Sequence, residues 1–146
     1  YKDYSNLSID QIFEKEAIET SEVLNLNTLQ SSIFINDKGK FKRISLPPEI
    51  NYSTMYDIEI VEKNKRGIKI VMGGNQYNIK PQFGRQDASK GYSLSIEISN
   101  DSISYSNLES LNIDGQIRKF ETFNVKDIKA VAVGINNEKT KFFEYK

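Results

Sequence analysis

The chain has no cysteine, no histidine and no tryptophan among its 146 residues. Without thiols or imidazoles it cannot form disulfides, the usual zinc sites or a catalytic triad built on histidine. Its 20 basic residues balance its 20 acidic residues, so no overall field would steer it towards nucleic acid or an anionic membrane. No apolar run approaches the roughly 20 residues that a membrane-spanning helix needs. We therefore expect neither a nucleic-acid partner nor a membrane-spanning segment.

Two stretches, 33–75 and 94–136, repeat one another. Each holds four short runs of strand-forming residues and ends on a glycine that an asparagine follows two positions later. Repeats made of four short strands are typical of propeller blades, which cannot bury a core alone. A ring needs at least about four blades. We therefore expect this chain to be part of a larger propeller.

Residues 1–30 have a different pattern and predict a helical lead-in. Ser8 and Gln11 have the spacing of a capping box, in which each side chain satisfies a free backbone group of the other residue. Ile9 and Phe13 then fall on one side of a helix. We expect one or two short helices that pack on the blades through this stripe.

Residues 31–146 predict two four-stranded antiparallel blades followed by a closing strand. The segment Lys141 to Tyr145 follows the second repeat as a first strand would, and we interpret it as that closing strand. Residues 76–91 have neither helical nor strand periodicity and predict a long loop. The predicted fold class is an all-β, partial β-propeller with short N-terminal helices.

The chain resembles the C-terminal region of large FG-GAP (VCBS-type) repeat proteins that also carry an ASPIC/UnbV module and are common in Bacteroidetes. The most specific match is Gly84-Arg85-Gln86-Asp87-Ala88-Ser89. The other matching segments are Ile12-Phe13, 31–36, 39–41, Leu46-Pro47, 73–75, Gly91, 115–118 and Asn136-Asn137. The resemblance implies an exported propeller at the extracellular or outer-membrane surface.

The resemblance also implies calcium, because typical repeats of this family carry an Asp-rich loop between their last two strands. Such a loop needs several carboxylate oxygens that converge on one cation. Here the corresponding residues are 62–67, which include three cations, and 124–128, which include one lone aspartate, Asp127. We therefore expect no metal and no other cofactor in these two repeats.

Three residues are candidates for ligand binding. Arg85 and Asp87 can form a clamp in which the guanidinium binds carboxylate or sugar oxygens, or they can cap and anchor their own loop. Asn75 can contact sugar hydroxyls, or it can serve as a turn residue that tolerates a positive φ. We favour the structural role for each.

Catalysis is a further alternative. Asp57 and Glu59 lie on one face of a predicted strand, and a glycosidase needs two carboxylates about 5 to 10 Å apart. Tyrosines could form a stacking platform for glycans or fill the space between blades; they are Tyr52, Tyr56, Tyr77 and Tyr92. We expect a non-catalytic module that binds a protein or a glycan and packs against the remaining blades of the parent chain or another subunit. The alternatives are part of a propeller glycan hydrolase or lyase and a structural cap of a repeat array.

Overall fold

The computed structural model describes residues 3–99 and 103–145. Residues 1–2 of the predicted 1–30 region, and residues 100–102 and 146 of the predicted 31–146 region, lie outside it. The N-terminal part contains a 3₁₀ turn at Tyr4–Asn6 and two short helices, α1 (Ile9–Ile12) and α2 (Lys15–Glu19). No helix within the described residues is long and apolar enough to cross a bilayer.

The two helices form where predicted but do not pack as predicted. The capping box at Ser8 is present, with the Ser8 backbone N–H donating to Gln11 Oε1 over 3.0 Å. Ile9 and Phe13 are 63% and 56% exposed, and neither helix has a buried residue. The predicted packing on the blades is therefore wrong. Helices of four and five residues make barely one turn each and cannot present a continuous apolar stripe.

The described part of the chain beyond the helices is built from strands. They are β1 (Ser32–Asp37), β2 (Lys40–Ser45), β3 (Met55–Asn64), β4 (Gly67–Gly74), β5 (Tyr92–Ile98), β6 (Ile103–Ser110), β7 (Gln116–Val125), β8 (Ile128–Asn136) and β9 (Lys141–Tyr145). Short 3₁₀ helices lie at Pro48–Asn51 and Pro81–Phe83. All strand pairs are antiparallel, which confirms the all-β class.

The strands form three sheets. The hairpin sheet is β1-β2, the central sheet has the order β3-β4-β5-β6, and the third sheet has the order β7-β8-β9. None of these sheets, as far as the described residues go, closes on itself. A register shift occurs between Met55 and Asp57 in β3 and again between Ile117 and Lys119 in β7. This matching irregularity supports the internal repeat.

The sheets are out of phase with the sequence repeats, which corrects the predicted arrangement of two four-stranded blades. The central sheet combines the last two strands of the first repeat with the first two strands of the second. The segment after β2 begins with Leu46-Pro47-Pro48, and prolines cannot donate to a ladder. The chain therefore leaves the hairpin sheet at this point and begins the central sheet. As predicted, β9 takes the place of a first strand, because it pairs with β8 as β5 pairs with β4.

Two apolar clusters hold the sheets together. One lies between the central and third sheets and contains Val61, Val71, Ile113, Ile117, Phe120, Val131, Val133 and Ile135. The other lies on the opposite face of the central sheet, under the hairpin sheet, and contains Ile50, Ile70, Met72, Tyr92, Leu94 and Ile96. Strand β4 contributes to both clusters, as the sequence predicts for a strand buried on both faces.

Candidate functional site

A groove of about 430 Å³ lies where the loop after β4 meets the ends of the third-sheet strands. The side chains that line it include both predicted loop residues, Arg85 and Asp87. Its other polar lining residues include Lys90, Asp114, Gln116, Asn136, Asn137 and Glu138. The groove is therefore the place where the predicted clamp residues meet groups from distant parts of the chain.

Asn75 lies beneath this groove and holds the loops beside it in place. Its Nδ2 donates to the carbonyl oxygens of Ser89 (2.8 Å) and Gly115 (2.9 Å). Its Oδ1 accepts from the backbone N–H of Ser89 (3.0 Å) and the hydroxyl of Ser53 (2.7 Å). The residue is 1% exposed and has a φ of 99°, a conformation that asparagine tolerates better than most residues. These four bonds use both protons and both lone pairs of the amide, so a ligand would have to displace protein partners to reach it.

Arg118 extends this network, although it was not a candidate from the sequence. One guanidinium nitrogen donates to the backbone oxygen of Asn75 (2.9 Å) and the other to Gln116 Oε1 (2.8 Å). The same Gln116 oxygen accepts the backbone N–H of Tyr77 over 3.0 Å. The guanidinium carbon lies 3.9 Å from the ring centre of Tyr56. An arginine at the start of β7 thus joins three elements beside the groove.

Arg85 and Asp87, the two candidates in the long loop, lie close to each other. Arg85 Nε lies 3.6 Å from Asp87 Oδ2, and both side chains are more than half exposed. The guanidinium carbon of Arg85 also lies 3.5 Å from the ring centre of Tyr77. Because Tyr77 is itself held by Gln116, this contact ties the loop to the third sheet. An exposed pair of this kind adds little stability, so its charges remain accessible to a ligand.

A second ion pair lies in the same groove. Lys90 Nζ donates to Asp114 Oδ1 across two loops. The hydrogen bond and the charge of Asp114 raise the pKa of Lys90 above its usual value, and the same contact holds the pKa of Asp114 below its usual value. Both groups are therefore charged over the physiological range, and each neutralises the other.

The remaining sequence candidates have structural contacts. Asp57 Oδ2 accepts the backbone N–H of Phe120 over 2.6 Å, and Glu59 Oε1 accepts the hydroxyl of Thr122 over 2.9 Å. Lys119 Nζ lies 3.4 Å from Asp57. These two carboxylates thus join the central sheet to the third sheet.

The four tyrosines do not share one surface. Tyr92 is in the core under the hairpin sheet, and Tyr52 is exposed. Tyr56 and Tyr77 each lie beneath an arginine. Their separate surroundings leave no common stacking platform among these four residues.

Residues 62–67, which correspond to the calcium loop of the family that the chain resembles, form a hairpin turn between β3 and β4. Asn64 Oδ1 accepts the backbone N–H groups of Arg66 (2.8 Å) and Gly67 (3.1 Å) and so stabilises the hairpin turn. Among residues 3–99 and 103–145, no group of three or more acidic, histidine or cysteine side chains could hold a metal ion. The three cations at this turn would also repel a divalent ion.

Comparisons with known proteins assign no function to the chain, so the groove is the main basis for proposing one. No protein-family model matches the chain, and the searches of curated proteins and of solved structures give no significant match.

Proposed function

We propose that this chain is a non-catalytic interaction module from a partial β-propeller at the extracellular or outer-membrane surface, and that its groove binds a neutral glycan. The observation that carries the proposal is the pairing of charges inside the groove. Both of its cations, Arg85 and Lys90, already have a carboxylate partner. The propeller origin is supported by three antiparallel sheets with apolar clusters between successive sheets.

The chemistry of the groove favours a neutral, hydroxyl-rich ligand. An anionic ligand would have to compete with Asp87 or Asp114 for a cation, whereas sugar hydroxyls can donate to carboxylates and accept from the guanidinium without separating the pairs. Asn136 and Asn137 add amide donors and acceptors to the lining of the groove. Such a mixture of amides and paired charges suits the alternating donors and acceptors of a sugar.

The groove is also held in shape before any ligand binds. Asn75 and Gln116 are buried and bond to the backbone of the surrounding loops. Gly115 has a φ of 113°, and a Cβ at this position would lie 2.5 Å from Ile135. A preformed site loses less entropy on binding than a mobile loop does. We therefore expect single substitutions of the exposed side chains in the lining to alter affinity without altering the fold.

A glycan array probed with this chain tests the proposal. We expect a neutral glycan to bind, and Arg85→Ala and Asn136→Ala each to weaken binding about tenfold, the cost of one hydrogen bond to a charged or polar partner. Lys42→Ala is the matched control, because Lys42 forms a similarly exposed ion pair with Asp37 on the hairpin sheet. Absence of binding to every glycan, or equal binding by Arg85→Ala and the parent chain, would contradict the proposal.

A second candidate function is purely structural, in which the sheets extend or cap a repeat array. The exposed apolar side chains at both ends of the stack favour it; examples are Ile58 on the central sheet and Phe142 on the third. Under this alternative, the groove substitutions would leave every interaction of the protein unchanged.

A further inference from the structure

The contact between the central and third sheets depends on a glycine. A Cβ added to Gly73 would lie 2.6 Å from Cδ1 of Ile117 and 3.3 Å from the ring of Phe120. Both of these β7 residues are fully buried. The central sheet therefore has a hole at Gly73 that the first strand of the third sheet fills.

The third sheet has an equivalent hole at Gly134, on the face that points away from the central sheet, and no other described sheet fills it. Gly134 lies opposite Lys119 in the ladder, as Gly73 lies opposite Asp57. A Cβ added to Gly134 would meet nothing nearer than 3.7 Å, and that atom belongs to Lys119 of its own sheet. The same face carries Phe123, Ala130 and Ala132, which with Gly134 we call the tail face; the charged residues Lys119 and Glu121 lie beside them on β7.

The side chains that would fill such a hole are exposed at the other end of the molecule. Ile58 lies opposite Met72 in the ladder, as Phe120 lies opposite Val133. Ile58 and its neighbour Ile60 are 56% and 50% exposed, and together we call them the head face. They are exposed because the hairpin sheet has only two strands and covers the cluster around β4 and β5 rather than β3. One chain thus presents both halves of a single type of interface.

We propose that copies of this chain associate head to tail, with the tail face of one copy covering the head face of the next. Strands β7 and β8 of the first copy then lie beside β1 of the second copy. They extend the two-stranded hairpin sheet of the second copy by two strands. The resulting sheet has the order β7-β8-β1-β2 and the same strand number as the central sheet. This inference is independent of ligand binding in the groove.

The association requires β9 to give up its place beside β8. Strands β9 and β1 are both first strands of a repeat, so β1 of the second copy is the natural replacement. The ladder between β8 and β9 is short, running from Val133 opposite Lys141 to Lys129 opposite Tyr145. No residue of β9 is fully buried, and Phe142 is 66% exposed. Phe143 and Tyr145 are partly buried against the cluster between the central and third sheets, so release of β9 gives up this apolar contact, and β1 of the second copy has to replace it.

Such a contact is heterologous, because the head face of one copy meets the tail face of another. It therefore leads to a ring or to an open chain of copies. Within one chain, hydrogen bonds from Asp57 and Glu59 join the central sheet to the third sheet. The contact between copies lacks the equivalent of the Asp57 bond, because Lys119 takes the position of Asp57 in the third sheet. The association between copies is accordingly weaker than the contact between sheets of one chain.

Complementation between two variants tests the head-to-tail geometry. The head variant carries Ile58→Lys and Ile60→Lys, and the tail variant carries Ala132→Lys, with Ala130→Lys in reserve if the first tail variant unfolds. In sedimentation velocity over a range of concentrations, the parent chain should form larger species. Each variant alone should remain monomeric. An equimolar mixture should form a one-to-one dimer and nothing larger, because only one pair of intact faces remains.

Phe83→Lys is the matched control, since Phe83 is exposed and lies outside both faces; it should associate as the parent chain does. Circular dichroism melts confirm that each variant is folded. The proposal is overturned if the parent chain stays monomeric at every concentration, or if the mixture of head and tail variants gives no dimer.

A reversible crosslink tests the exchange of β9. Ala130 and Glu144 lie directly opposite each other in β8 and β9, and the chain has no cysteine that would interfere. A variant with Ala130→Cys and Glu144→Cys should be monomeric when oxidised, because β9 is then tied to β8, and should associate when reduced. Equal association in both redox states would show that β9 stays in place and would refute the exchange.

Discussion

Replacement of Asn75 by alanine removes the main link between the central sheet and the loops around the groove. The change deletes four hydrogen bonds, and three of them satisfy backbone groups: the N–H and C=O of Ser89 and the C=O of Gly115. The fourth partner is the hydroxyl of Ser53, which is only partly buried and can turn to water. The substitution also leaves a residue with a Cβ at a φ of 99°, where alanine is strained.

The expected cost follows from these losses. A buried backbone group left without a partner costs about 1 to 3 kcal/mol, and water entering the space of the amide recovers part of that. A side chain held at positive φ adds about 1 kcal/mol. We therefore expect the free energy of unfolding of Asn75→Ala to fall by about 4 kcal/mol, which lowers the Tm by roughly 10 to 15 °C for a chain of this size.

Urea denaturation followed by circular dichroism measures this loss, with two controls. Asn75→Gly removes the same hydrogen bonds but relieves the strain, so it should be about 1 kcal/mol less destabilising than Asn75→Ala. Asn136→Ala changes the equivalent residue of the second repeat, which is exposed, and should cost less than about 0.5 kcal/mol. A loss below about 1 kcal/mol for Asn75→Ala would refute the structural role of this amide.

Two further predictions concern the sheet contact and alkaline pH. Gly73→Ala should lower the free energy of unfolding by about 1 to 3 kcal/mol through overpacking against Ile117. Gly134→Ala should change it far less in the monomer, because no atom lies within 3.7 Å of the added Cβ. Equal effects of the two substitutions in urea denaturation would show that Gly73 does not pack against Ile117 more tightly than Gly134 packs against its own neighbours. Burial and the nearby Glu62 raise the pKa of Tyr145 to about 12, so its phenol favours the folded state below the unfolded pKa of about 10 and this contribution is lost as the pH rises towards 12. Tyr145→Phe should therefore lose less stability than the parent chain between pH 10 and 12, and parallel stability profiles for the two proteins would contradict this assignment.

The repeat itself could be predicted from the sequence because it consists of local sequence patterns. Alternating apolar residues define the strands, and Gly73 and Gly134 mark equivalent positions that the structure places at equivalent points of two ladders. Arg85 and Asp87 could also be singled out, since they stand in the most specific segment of the long loop, and both line the groove. Local signals were sufficient for these features.

The pairing of the strands into sheets could not be predicted in the same way. Whether β5 joins β4 or begins a new sheet depends on where loop 75–91 leads the chain, and that loop is fixed by distant partners. Asn75 illustrates this dependence, because Asn136 occupies the equivalent sequence position but is exposed. The long loop after Asn75 brings Ser89 back to its amide, whereas β9 begins shortly after Asn136 and no such loop forms. The role of Arg118 was missed for the same reason, since its partners are remote in the sequence.

The offset between repeats and sheets has a consequence for how this chain can fold and assemble. Each sequence repeat supplies strands to two successive sheets, so neither repeat contains a complete four-stranded sheet of its own. The central sheet, which draws on both repeats, is the only described sheet with four strands, and it contributes to both apolar clusters. It therefore serves as the folding core, while the hairpin sheet and the third sheet each lack strands. Association between copies would join these two ends into a four-stranded sheet like the central one. The contact at Gly73 within one chain is therefore the best guide to the contact at Gly134 between copies.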